Sequence, residues 1–320
     1  MNLRVIRLLI AVACAWLASA ALAASAPGVP EGWSDGFVYA NGIRIHYYRA
    51  VPRPGKPVIV MVHGVTDNGL SWTTLTEELQ ASYDIYMLDA RGHGLSDPFT
   101  DADTGDTLVK DVVGFMRAMS FDKPILMGHS MGAATVMRLG AEYPDLPRAV
   151  IMLDPLLGRL PAGVPGRPAG ASAGGAAPAR RPGSVSMFGT PETLVAQNND
   201  SFEDLLAACG RQNRMWDPTD CQYWALSKKQ YHGPYSAAQM QAMRGTMAIE
   251  DALARITAPA LILKADAPPE VREANLRAAS VMRNGKLVHV DGSGHNLHHD
   301  KRARTVELLT EFLGRLQTSG

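Results

Sequence analysis

The chain has 320 residues, 46% of them hydrophobic and 19% charged, and its 31 basic and 31 acidic side chains cancel to a formal net charge of zero. That mix belongs to a globular protein with a real core, large enough for one big α/β domain or two smaller ones. Balanced charge without a basic stripe or a charged tail argues against a nucleic-acid partner.

Arg4 and Arg7 precede an apolar run from Leu8 to Leu22 that ends in Ala21-Leu22-Ala23, with Ala24-Ser25-Ala26 behind it. A short positive region, an apolar stretch and a small-x-small site predict a secretory signal peptide over residues 1–23. The competing reading is an uncleaved anchor, for which the run is short. The expected mature chain is periplasmic or secreted, and no later segment is long and apolar enough to span a bilayer.

The next elements follow in order. Phe37–Ala40 and Ile43–Arg49 flank Asn41-Gly42, a hairpin signal. Val58–Val62 is a continuous apolar run suited to a strand buried on both faces. Helical and strand-like segments then alternate: a helix over Trp72–Ala81, a strand over Tyr83–Leu88, a helix over Thr107–Met119, a strand over Pro124–Met127, a helix over Met131–Tyr143 and a strand over Ala149–Leu153. Gly158–Ser186 is rich in Pro, Gly and Ala and predicts a loop. Thr190–Leu253 reads as several short helices. Strands return at Ala260–Leu263 and Lys286–Val290, and a final helix covers Arg302–Leu316. Alternation of this kind predicts an α/β fold, a mainly parallel sheet with helices on both faces. The core is expected over residues 24–155 and 259–320, with residues 156–258 inserted as a helical cap.

Gly128-His129-Ser130-Met131-Gly132 lies between a strand and a helix, the setting of a nucleophile elbow. Small residues are needed there because strand and helix approach closely. A serine at a helix start is otherwise an N-cap. A hydroxyl needs an adjacent base, and His295, in the loop after the last strand, is the expected partner of Ser130. His129 should point elsewhere, and His298 and His299 should face solvent. An acid between the serine and the histidine in chain order should orient the imidazole. Asp266, after the strand ending near Lys264, is the first choice, and Asp154, after Leu153, is the alternative. The oxyanion hole needs two backbone donors, expected from Met131 and from Val65 in the loop His63-Gly64-Val65-Thr66-Asp67. His63 and Gly64 should border the substrate pocket. The cap should line it with Phe188, Met215, Trp216, Tyr223 and Trp224.

Cys14 would leave with the signal peptide, which leaves Cys209 and Cys221 as a pair. In an oxidising compartment they permit a disulfide; two free thiols are the alternative. Neither has the nearby His or C-x-x-C partner of a metal site.

Taken together, His63-Gly64, Asp89-Ala90-Arg91-Gly92-His93-Gly94-Leu95-Ser96, the Ser130 elbow and Gly294-His295 resemble the ordered motifs of the α/β-hydrolase fold family. The resemblance covers most of the chain from about Gly36 onward, apart from the cap. It implies an eight-stranded sheet, a Ser-Asp-His triad and a helical cap, with Asp89 and Arg91 as structural parts of a turn. Ala265-Asp266-Ala267-Pro268 departs from the family pattern, since Pro268 stands where a second Asp is usual. Epoxide hydrolases and haloalkane dehalogenases, which are similar in fold, carry aspartate in place of Ser130. The implied activity is hydrolysis of carboxylic esters or lactones through an acyl-enzyme, with no cofactor. The same triad also serves amide or carbon–carbon bond hydrolysis, and a slow or inactive ligand-binding protein is the reading from a different class.

Overall fold

The computed structural model describes residues 26–157, 191–233 and 235–318. The expected signal peptide, the whole of the Pro/Gly/Ala-rich loop (residues 158–186) and Phe188 lie outside those residues.

Among the described residues the β-rich runs form one eight-stranded sheet: β1 (Ser34–Ala40), β2 (Ile43–Arg49), β3 (Val58–Val62), β4 (Asp84–Leu88), β5 (Ile125–His129), β6 (Ala149–Leu153), β7 (Ala260–Ala265) and β8 (Gly285–Val290). Their spatial order is β1-β2-β4-β3-β5-β6-β7-β8. The β1–β2 hairpin and the β2–β4 pair are antiparallel, and every pair from β4 onward is parallel. The fully buried runs β4, β5 and β6 occupy the interior of the sheet, as expected of strands covered on both faces.

Strand pleating sends alternate side chains to opposite faces. Val60, Val62, Leu126, Val150, Met152 and Ile262 meet one helix layer, drawn from α2 (Thr107–Ala118), α3 (Met131–Glu142) and α8 (Ile249–Arg255). Ile59, Met61, Ile85, Met127, Ile151 and Leu263 meet the other, which includes α1 (Thr73–Leu79) and α11 (Arg302–Thr318). Each fully buried Leu or Ile contributes about 1.5–3 kcal/mol. Between β6 and β7 the chain also forms α4 (Pro191–Asn199), α5 (Phe202–Gln212), α6 (Pro218–Lys229) and α7 (Ala237–Arg244). At the end of this insertion, Ala252 and Leu253 of α8 and Ile256 just after it pack into the core.

Two further helices, α9 (Pro269–Ala279) and the short α10 (Leu297–Asp300), were not expected from the sequence. The helix expected from Trp72 is split, with a 3-10 turn over Gly69–Trp72 leading into α1. The turn after β4 rests on Asp89, which is fully buried. Its carboxylate accepts from the Gly69 and Leu95 amides at 2.6 and 2.9 Å and pairs with His46 Nδ1 at 2.8 Å. A side chain at Gly94 would put its Cβ 2.2 Å from that carboxylate, so only glycine fits there.

Candidate active site

Ser130 joins β5 to α3 with φ 51° and ψ −109°. A non-glycine residue at positive φ is strained and persists only where its surroundings over-determine it. The surroundings here are backbone. A Cβ at Gly128 would lie 2.2 Å from the Gly132 carbonyl oxygen, and a Cβ at Gly132 would lie 1.9 Å from that of Val62. The Ser130 amide donates to the Leu153 carbonyl at 3.0 Å, and the Gly132 amide to that of His63 at 3.1 Å. The Ser130 side chain makes no capping bond to α3, so the N-cap alternative is not realised. It borders a cavity of about 120 Å³ that His295, His129 and Gly64 also line.

The acid facing His295 is Asp154, not Asp266. Asp154 follows β6 with φ 45°, and its Oδ2 lies 2.5 Å from His295 Nδ1. Its Oδ1 accepts from the Ala265 amide at 3.0 Å and sits 2.5 Å from Lys264 Nζ. Burial works to raise the Asp154 carboxyl, but the hydrogen bond from His295 and the charge of Lys264 outweigh it and hold the group well below the usual range. An ionised carboxylate only accepts, so His295 Nδ1 carries the hydrogen of this bond.

Asp266 is bound elsewhere. Its Oδ1 accepts from Arg272 at 2.5 Å and its Oδ2 from the Gly292 amide at 2.7 Å. The Arg272 hydrogen bond and the Gly292 amide lower it to about 2. The physical reason is the path of the loop after β8. That loop folds back across the end of β7, where the Asp266 amide donates to Ser293 at 3.1 Å. His295 is thereby carried past Asp266 toward the end of β6.

The expected pocket residues divide. Gly64 and Val65 line the cavity, as do Trp216 and Trp224. A Cβ at Gly64 would meet His129 Nδ1 at 2.9 Å, which explains the glycine. His63 is buried beneath the loop rather than facing the cavity. Its Nε2 accepts from the Ala90 amide at 3.0 Å, so Nδ1 holds the proton and donates to the Gly64 carbonyl at 2.7 Å. Burial lowers its pKa and keeps it neutral. Met131 is buried at the start of α3. Met215 is 71% exposed and lies outside the cavity lining. Tyr223 packs into the core instead, its hydroxyl donating to the Gly28 carbonyl at 3.1 Å. Cys209 and Cys221 form a disulfide that ties α5 to α6.

Three histidines depart from expectation. His129 lines the cavity and its Nε2 donates to the His295 carbonyl at 3.0 Å. Burial, then the neighbouring His295, lowers it to about 3. His298 and His299 are buried, not solvent-facing: His298 packs on Trp72 at 5.0 Å and His299 on Trp216 at 4.5 Å between ring centroids. Short helix α10 turns them inward.

The sequence reading also missed Asp67, Asp220, Lys228 and Asn296, all of which border the cavity. Asp220, Trp224 and Lys228 are spaced four apart along α6. That spacing puts them on one helix face, the one signal that could have found them together. Trp216 Nε1 donates to Asp300 Oδ1 at 2.7 Å, and Asp300 Oδ2 accepts from the Gly294 amide at 2.8 Å. The segment before α6 is thus tied to the loop that carries His295.

Comparison with known proteins gives the family to which this fold belongs. A family model described as the alpha/beta hydrolase family matches residues 59–308. The chain is similar to N-formylmaleamate deformylase of Pseudomonas putida, with 30% identity over 273 residues covering 83% of this chain and 91% of that protein. It is similar also to 2-(acetamidomethylene)succinate hydrolase of Mesorhizobium japonicum, with 27% identity over 278 residues covering 80% of this chain and 88% of that one. The crystal structure of an E-2-(acetamidomethylene)succinate hydrolase superposes with a TM-score of 0.64 at 21% identity, over 88% of this chain and 99% of that one. With the match spanning β3 to α11, the chain belongs to the alpha/beta hydrolase family.

Proposed function

We propose that the protein is a serine hydrolase that transfers a small acyl group to water through an acyl-enzyme on Ser130. The observation that carries this reading is that His295, paired with Asp154, borders the same small cavity as the strained Ser130. In this mechanism His295 Nε2 removes the Ser130 proton as the hydroxyl attacks the carbonyl carbon. The amides of Met131 and Val65 receive the developing oxyanion. His295 then protonates the leaving group and activates the water that releases the acid. Asp154, already ionised, stabilises the imidazolium at each step. No step calls for a cofactor.

The sequence pointed to a carboxylic ester or lactone as substrate. A second reading, cleavage of an acyl–nitrogen bond, is favoured by two relatives that match over most of their length, whose names carry N-formyl and acetamido groups. The mechanism serves both, since His295 protonates either an alkoxide or a nitrogen. The cavity of about 120 Å³ suits a short acyl group better than a fatty one. We further read residues 1–23 as a cleaved export signal and residues 156–258 as the cap. The disulfide is compatible with export.

The test is a panel of short-chain nitrophenyl esters, lactones, N-formyl and N-acetyl amides and a β-diketone, run on wild type and Ser130→Ala. Turnover of an ester, lactone or amide that Ser130→Ala abolishes is expected. Cleavage of the β-diketone alone would favour carbon–carbon chemistry. Ligand binding without turnover would favour a receptor.

A further inference from the structure

We propose that Lys228 is a positioning residue that holds the oxyanion loop from the opposite wall of the cavity. This inference rests on the acyl-hydrolase reading, which assigns the Val65 amide to the oxyanion.

The loop after β3 is internally closed only in part. His63 Nδ1 and the Asp67 amide both donate to the Gly64 carbonyl, at 2.7 and 3.2 Å. The next residue past Val65 is Thr66, a β-branched residue at φ 68°. That conformation is unfavourable for such a side chain and has to be held from outside. Lys228 Nζ supplies the hold. It donates to the Thr66 carbonyl at 2.9 Å and to Thr66 Oγ1 at 3.0 Å, and reaches Asp67 Oδ1 at 3.5 Å. An ammonium has three donors, and all three fall on two consecutive residues beside Val65.

Burial supports the assignment. The Lys228 side chain is only 6% exposed, and burying an ammonium is costly unless its donors are used. The adjacent Lys229 is exposed and bonds to the Asn198 and Asp200 carbonyls. Lys228 also lies 5.1 Å from the Trp224 ring centroid, and its helix is fastened to α5 by the Cys209–Cys221 bridge. A braced helix on one side of the cavity therefore grips the strained residue next to an oxyanion donor on the other. Direct binding of an anionic substrate is the competing role. It is disfavoured because the three donors are already committed and Asp67 already faces the charge.

The experiment uses the full mature chain with its disulfide intact. Lys228→Met is expected to lower kcat about 10- to 100-fold, the effect of misplacing rather than deleting one oxyanion donor. KM should stay within about threefold of wild type, because ground-state binding is not the interaction lost. Amide hydrogen exchange should rise in residues 64–67 while β5 and α3 stay protected. The double variant Lys228→Met/Asp67→Asn should remain as slow as Lys228→Met. A rise in KM at unchanged kcat would overturn the proposal in favour of substrate contact. Recovery in the double variant would reduce the role to neutralising Asp67. Unchanged exchange in residues 64–67 would remove the tether whatever the kinetics. Absence of turnover in wild type would instead refute the acyl-hydrolase reading, and the exchange measurement would still decide whether Lys228 holds the loop.

Discussion

Asp154 Oδ2 stands 2.5 Å from His295 Nδ1, although 141 residues separate the two in sequence. The pairing is made across an intervening strand: Asp154 follows β6, and the loop after β8 crosses the end of β7 to bring His295 to it. Exchanging the Asp154 carboxylate for an amide would remove the group that fixes the Nδ1–H tautomer. In serine hydrolases that loss costs about 10⁴ in kcat. Asp154→Asn should therefore lower kcat about 10³- to 10⁴-fold, with fold and KM little changed. Asp266→Asn, which loses the charge facing Arg272 and one of its two acceptor oxygens, should retain kcat within about threefold of wild type. Steady-state kinetics on both variants decides the matter, and the opposite ranking would restore Asp266 as the acid.

Gly132→Ala should be among the most damaging substitutions in the chain. The added methyl would stand 1.9 Å from the Val62 carbonyl oxygen, which is backbone within the sheet and cannot rotate away. Overpacking against a rigid wall costs about 3 kcal/mol or more. Urea unfolding should show a lower midpoint, and the surviving folded fraction should have lost activity because Ser130 shares the displaced turn. A variant as stable as wild type would mean that α3 can move away from β3.

The Cys209–Cys221 bridge closes a loop with a sequence separation of 12. A closed loop of that order restricts the unfolded chain by about 3 kcal/mol. Reduction, or Cys209→Ala/Cys221→Ala, should lower stability by about 2–3 kcal/mol in denaturant unfolding. It should also reduce activity, since α6 carries Trp224 and Lys228 into the cavity. Coincident curves for oxidised and reduced protein would show that the helices hold together without the bridge.

His46 gives stability its own pH dependence. Burial depresses the imidazole, but the hydrogen bond and charge of Asp89, with those of Asp35, outweigh it and raise the pKa above the ordinary 6.5. A folded-state pKa raised above the unfolded one contributes stability fully below the unfolded value and loses it as pH rises through the folded value. The Tm advantage of wild type over His46→Gln should thus be greatest below about pH 6 and shrink as pH rises past 6.5. The ring also packs between Phe37 and Tyr48 at 4.8 and 4.6 Å between centroids, so a constant part of the difference should remain at high pH. A Tm difference that grows with pH would contradict the pairing.

The elbow was legible in the sequence because two glycines, a serine and a flanking strand and helix leave few other structures. The sheet was legible for a similar reason, since β4, β5 and β6 are continuous apolar runs. The acid was not. Leu153-Asp154 and Ala265-Asp266 are both aspartates at the end of a parallel strand, and only the return of the loop after β8 across β7 separates them. Lys228 and Lys229 are equally silent as residue types, and so are Met215 and Trp216; in each pair one side chain faces the cavity because of how the helix or turn is set on the sheet. His298 and His299 looked like the polar start of a terminal helix, but the separate turn α10 carries them under Trp72 and Trp216. Helix α9 escaped notice because Pro268-Pro269 reads as a loop. Proline at the first helical position is nonetheless favourable, since its missing N–H would have had no partner.

The most direct test of the account is covalent. The mature protein is incubated with a fluorophosphonate, digested, and mapped by mass spectrometry in wild type, Ser130→Ala and Asp154→Asn. One adduct is expected on Ser130, none in Ser130→Ala, and slow formation in Asp154→Asn. An adduct on another residue, or labelling of Ser130 at the same rate with and without the Asp154 carboxylate, would contradict it.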